Sequence, residues 1–188
     1  MPTRKKWGEA PPKPRVVLRP GSRTKEPLTQ KQQELLIAQA MQMGDFEYKT
    51  VLILLETGMH ISVLSDKKAN LRVWEDKFLQ WTRPKNGEPI SMPIPKRLRP
   101  WIANYLNSSR PPYRTWYNRL LKELGKRTGI VGLSPLTLRH TFAVNRLNQG
   151  YTLGDLQGLM GTRSLRSLAH YTRYSKAYME SRYEGKEW

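Results

Sequence analysis

No cysteine occurs anywhere in this 188-residue chain, which excludes disulfides, thiolate nucleophiles and thiolate metal sites together. Histidine is scarce as well. His60, His140 and His170 stand too far apart for metal-ligand spacing, so neither a metal nor another cofactor is expected. There is no run of about 18 apolar residues and no basic amphipathic helix of the membrane-surface kind, which argues against a membrane partner. The N-terminus lacks the apolar core of a secretory signal, and Pro11, Pro12 and Pro14 would break the helix of a transit peptide. An intracellular location, in the cytoplasm or nucleoid, is therefore expected. Acidic residues are the most telling scarcity: 15 Asp and Glu face 33 Lys and Arg, for a formal charge of +18. That excess creates a field that draws polyanions, nucleic acid first among them.

The length suits one domain with a full core. Residues 1–27 carry eight Lys and Arg, two Glu and five prolines beyond the initial Met-Pro. Such a segment buries too little to order itself and reads as a basic arm able to lie along a phosphate backbone. The domain, residues 28–175, opens where Thr29 and Gln32 match a capping box ahead of Leu35, Leu36 and Ile37. Val51 to Leu55 is too apolar for a surface helix and stops at Gly58, which predicts a buried spine. Leu71–Trp74, Phe78–Trp81 and Ile90–Ile94 alternate about turns at Glu75-Asp76 and Asn86-Gly87, predicting a small antiparallel sheet. Helices are expected around Trp101–Leu106 and over Thr115–Arg127. Three more are expected: one opened by Arg139 and ending at Gly150, one capped by Thr152 and stopping at Gly161, and one from Ser164 to Tyr171. The fold class is thus α+β, mostly α-helical.

Between positions 96 and 127 nine bases, Lys96, Arg97, Arg99, Arg110, Arg114, Arg119, Lys122, Lys126 and Arg127, face Glu123 alone. They interleave with Trp101, Tyr105, Tyr113, Trp116 and Tyr117. Trp101 and Leu120 read as core, and the charges as a face for DNA phosphates.

Three boxes in order carry a resemblance. Leu136-Thr137-Leu138-Arg139-His140-Thr141 is followed by Gly161 and, ten residues later, by Tyr171. Upstream stands Thr57-Gly58-Met59-His60-Ile61-Ser62-Val63-Leu64, and between them Lys85 with Pro93 eight residues on. Over residues 28–175 the chain resembles the catalytic domain of the tyrosine recombinase (phage integrase) family.

That resemblance implies a tyrosine hydroxyl that attacks a DNA phosphate to form a 3′-phosphotyrosyl link, conserving the bond energy so that no cofactor is needed. It implies Tyr171 as nucleophile, Arg139 as phosphate clamp and Lys85 as the acid that protonates the leaving 5′-oxygen. The family carries an arginine where this chain has His60, a histidine where it has Leu136, and a histidine or tryptophan where it has Thr162. A neutral imidazole supplies neither fixed charge nor a bidentate fork, leucine donates nothing, and the Thr162 hydroxyl is the mildest change. His140 resembles the partner in the family's frequent Arg-His pair and is expected to be structural; His170 is given no role. The family's separate N-terminal clamping domain is expected to be absent, with the basic arm substituting for it in part or the protein gripping DNA from one side only.

The expectation is a double-stranded-DNA-binding protein of recombinase descent with impaired or lost cleavage, acting in mobile-element transactions or their regulation. An active site-specific recombinase is the alternative, and a basic RNA-binding protein accounts for the charge alone. In the tail, residues 176–188, Tyr178, Tyr183 and Trp188 recur at a spacing that makes no single helical stripe. The family commonly donates such a segment to a neighbouring protomer, so self-association on DNA through this tail is expected. The arm makes the first testable statement. With about 6–10 phosphates contacted, DNA affinity should fall by about 10³- to 10⁵-fold between about 50 and 200 mM salt. Deleting residues 1–27 should flatten that slope in a binding titration; an unchanged slope would reduce the arm to a passive tail.

Overall fold

The computed structural model describes residues 26–82, 87–108, 113–176 and 179–180. Nearly all of the arm, together with Lys85, Arg110, Tyr178, Tyr183 and Trp188, lies outside the described residues.

Helix α1 (Gln30–Met43) begins at the anticipated box: Thr29 caps the Gln32 amide while the Gln32 side chain accepts from the Thr29 amide at 2.9 Å. Helix α2 (Asp45–Thr57) is the spine. Thr50 to Leu55 are all buried, a pattern only a helix covered on every side tolerates. It stops at Gly58, whose φ of 57° is left-handed. A Cβ there would meet the Phe142 ring at 2.3 Å, so glycine is required for conformation and for space alike. The short α3 (Ile61–Ser65) follows at once.

Strands β1 (Arg72–Trp74), β2 (Phe78–Thr82) and β3 (Pro89–Pro93) form an antiparallel sheet in sequence order. Glu75 and Asp76 have φ of 49° and 53°, the handedness a tight hairpin needs to match strand twist. Leu79 pairs with Met92, and both side chains are buried. Alternation along β2 thus turns one face of the sheet to the core.

Helices α4 (Ile102–Ser108) and α5 (Arg114–Thr128) pack next, and here the aromatic reading needs correction. Tyr105 and Tyr117 are buried core residues. The Tyr105 hydroxyl lies 2.8 Å from Thr50 Oγ1, and burial pushes its pKa up to about 12. Trp116 sets its ring edge-on to Phe46 at 5.2 Å. Only Tyr113, 85% exposed, stays outside. Alternating charge and aromatic positions here mean one helix face packed and the other wet.

Helix α6 (Pro135–Asn148) starts four residues before Arg139 rather than at it. Ser134 caps it, and Pro135 sits in the first turn, where a missing N–H costs nothing. Its buried face of Leu138, Phe142, Ala143 and Leu147 lies on α2, and Thr141 Oγ1 accepts from the Leu28 amide at 2.8 Å. Helix α7 (Leu153–Met160) has the capping box of Thr152 with Asp155 and ends at Gly161. The expected helix over 164–171 is instead two 3₁₀ segments, Leu165–Ser167 and Ala169–Tyr174. The Tyr171 amide bonds back three residues to Leu168 at 2.9 Å. Leu168, Tyr171 and Tyr174 all pack on the core at a spacing of three, the repeat at which 3₁₀ side chains align. Among the described residues no helix is long and apolar enough to cross a membrane.

The Gly58–Phe142 contact predicts a stability difference. Gly58→Ala should cost about 2–4 kcal/mol through overpacking plus left-handed strain, whereas Gly129→Ala, at φ 70° with nothing within 4 Å of an added Cβ, should cost about 1 kcal/mol. Urea denaturation of the two variants checks the ordering.

Candidate active site

The end of α2 is held by short local bonds. Thr57 Oγ1 donates to the Ile53 carbonyl at 2.6 Å and accepts from the Met59 amide at 3.2 Å. His60 then caps α3: its Nδ1 accepts from the Ser62 amide at 3.2 Å and lies 2.8 Å from Ser62 Oγ. With Nδ1 accepting in the cap, the tautomer that fits carries its proton on Nε2.

Arg139, half-buried on α6, sends Nη1 to the Gly58 carbonyl at 2.6 Å and Nη2 to the Met160 carbonyl at 3.1 Å. These carbonyls close α2 and α7, the ends where helix dipoles favour a cation. One planar group with five donors therefore joins two helix termini. His60, Leu136 and Arg139, more than seventy residues apart at the extremes, come together on one pocket of about 310 Å³. Arg114 and Asn118 of α5 line it too. Leu136 turns an apolar side chain, 42% exposed, toward this opening.

Thr162 is not among the residues that line this pocket. Ser167 Oγ donates to the Ser164 carbonyl at 2.6 Å, so the 3.2 Å contact between Thr162 Oγ1 and Ser167 Oγ uses the threonine proton. Close by, Arg163 pairs with Glu88 at the base of the hairpin whose loop contains Lys85. That ion pair joins the hairpin to the turn after α7.

Tyr171 is only 4% exposed. Burial raises its hydroxyl above the usual phenol pKa, and the positive charge of Arg139 pulls the other way. Its ring meets His140 edge-on at 5.1 Å and His170 at 3.9 Å. His170, which sequence reading left without a role, is therefore packed against the candidate nucleophile. Its Nε2 is buried with no hydrogen-bond partner among the described residues, and burial pushes its pKa below the ordinary value. Adjacency to Tyr171 was the one signal that pointed to it. Asn118 was missed outright, although it lies one turn from Arg114.

The eight of the nine bases that are described do not form one uniform surface. Lys96, Arg97 and Arg99 line a second pocket of about 390 Å³ together with Glu56 and Arg146. There Arg97 pairs with Glu56 at 3.2 Å, and Arg99 Nε donates to the Ile94 carbonyl at 3.2 Å. On α5, Arg127 and Lys126 reach Glu123 at 3.0 and 3.9 Å. Arg114, Arg119 and Lys122 are exposed and make no ion pair among the described residues.

Comparison with known proteins places this arrangement. The model of the phage integrase family matches residues 26–177. The tyrosine recombinase XerA of Pyrococcus furiosus is 32% identical over 152 residues, which are 71% of this chain and 52% of that protein. A crystal structure of XerA recombinase superposes with a TM-score of 0.69 at 21% identity, covering 87% of this chain and 66% of that one. The Tn1549 transposon integrase, solved in complex with a circular intermediate DNA, gives 0.64 at 20% identity, covering 82% and 63%. The chain spans about half the length of the curated relatives it matches.

The depressed pKa of His170 carries a pH prediction. Its neutral form is favoured in the folded state, so its contribution to stability is present above the unfolded value of about 6.5 and is lost as pH falls below that value. Chemical denaturation at pH 7 and pH 5 should show stability falling with acid, and less so in His170→Gln. An imidazole titration midpoint for His170 above the ordinary value would contradict the sign.

Proposed function

The chain belongs to the phage integrase family, and from that premise we propose that it binds duplex DNA, seats one backbone phosphate at the Arg139–His60 pocket and cleaves the strand only slowly through Tyr171. The observation that carries this reading is the convergence of His60, Leu136 and Arg139 on one pocket, with Tyr171 within electrostatic reach of Arg139. The +18 charge and the exposed bases of α5 supply the sequence-independent grip.

In this reading Tyr171 Oη attacks the phosphorus and passes its proton to water as the P–O bond forms. The bond to the 5′-oxygen breaks, Lys85 protonates that oxygen, and a 3′-phosphotyrosyl ester remains. Negative charge grows on the non-bridging oxygens, and Arg139 stabilises it with its permanent positive charge. Two features slow the reaction. His60 and Leu136 remove preorganised donors, each worth about 10²-fold in rate. The buried phenol of Tyr171 also resists ionisation, and its ring must gain access to the phosphate. The role of the protein in mobile-element transactions, and the self-association of its tail on DNA, belong to the same proposal. The RNA-binding alternative has no support in the fold or the family match.

A nicked suicide duplex traps any covalent product. Native protein should bind the duplex tightly at low salt and accumulate adduct slowly, roughly 10²- to 10⁴-fold below a full donor set if the two losses partly add. Tyr171→Phe should bind equally and form none. Rapid Tyr171-dependent adduct formation would instead make the chain an active site-specific recombinase, and loss of duplex binding would remove both readings.

A further inference from the structure

The pocket that gathers His60 and Arg139 is also lined by an arginine that the three sequence boxes do not include. Arg114 is the first residue of α5, and Asn118 lies one turn further on the same face. Both are exposed. No acid pairs with Arg114 among the described residues, and Glu123, the acid of α5, is taken by Lys126 and Arg127.

The position of Arg114 is electrostatically odd. A cation in the first turn of a helix opposes the macrodipole, and α5 has no acidic residue in that turn to offset it. Pro135 and Leu136, in the first turn of α6, line the same pocket. The positive ends of two long helices and two arginines therefore converge on one opening. An anion seated there turns each of these repulsive features into an attractive one.

We propose that Arg114 is the second phosphate-clamping arginine of this chain, supplied by α5 where His60 provides no charge, with Asn118 supplying the donor that Leu136 cannot. Arg114 has the permanent charge and planar fork that an imidazole lacks, and the Asn118 amide has two N–H donors. The ligand is a phosphodiester anion of a nucleic-acid backbone. The inference rests on the pocket being the seat of the scissile phosphate, and Arg114 and Asn118 replace only part of what His60 and Leu136 remove, so cleavage stays slow.

Inorganic phosphate, titrated into the full chain and followed by NMR at the Arg139 side-chain Nε signal, tests the clamp without requiring cleavage. Arg114→Ala should weaken phosphate binding by about tenfold or more, the loss expected for a charge-assisted pair. Lys31→Ala, an exposed base of α1 that does not line the pocket, should change it by less than about twofold. Adding His60→Arg to Arg114→Ala should restore affinity, since it returns a guanidinium to the same pocket. Equal effects of Arg114→Ala and Lys31→Ala, no restoration in the double variant, or no phosphate response at Arg139 in the native chain would each overturn the proposal. The two readings fail separately. Phosphate held through Arg114 in a protein that yields no suicide-duplex adduct would refute slow cleavage alone, and adduct formation at the native rate in Arg114→Ala would refute the clamp alone.

Discussion

Arg139 bonded to the carbonyls of Gly58 and Met160 is the constraint on which the rest of the site depends. Those carbonyls are the unsatisfied ends of α2 and α7, and a buried helix end without partners is costly. One guanidinium settles both, which fixes where α7 stops relative to the spine and hence where the turn through Thr162 and the 3₁₀ segment bearing Tyr171 can begin. The approach needs space. Gly58 sits against Phe142 where no Cβ fits, so α6 lies close enough for an arginine one turn earlier to reach the end of α2. The bonds that join the two helix ends therefore also fix the orientation of the guanidinium at the pocket that Arg139 lines.

Tyr171 shows the complementary cost. Packing its ring between His140 and His170 stabilises the 3₁₀ segment, with Leu168 and Tyr174 on the same stripe. The same burial raises the pKa of the hydroxyl that the chemistry would need ionised, and Arg139 offsets this only in part. Under the proposed function, the lack of a guanidinium at His60 acts in the same direction as this burial.

Charge is distributed by a similar economy. The few acids are placed where they order bases: Glu56 takes Arg97 and Arg146, Glu123 takes Arg127 and Lys126, and Glu88 takes Arg163. These exposed or partly exposed pairs are worth little in stability, yet they determine which bases stay available. Arg114, Arg119 and Lys122 are left on α5 without an acid among the described residues.

Much of the fold was legible because it is local. The capping boxes at Thr29 and Thr152, the apolar run of Val51 to Leu55, the left-handed stops at Gly58 and Gly161 and the alternation of β2 each report on their own few residues. The order of the three boxes was enough to indicate the family. The boundary at Arg139 was misread because Pro135 looks like a break until the cap of Ser134 makes it a first turn, and 164–171 because a repeat of three in Leu168, Tyr171 and Tyr174 becomes visible only once burial is known. What the sequence could not contain was the meeting of α5 with His60. Periodicity says which face of a helix is apolar; which partner that face finds depends on packing between elements far apart in the chain. Arg114 therefore read only as one of nine phosphate-facing bases, and Asn118 as an ordinary surface residue, until the tertiary structure set both on one pocket with Arg139.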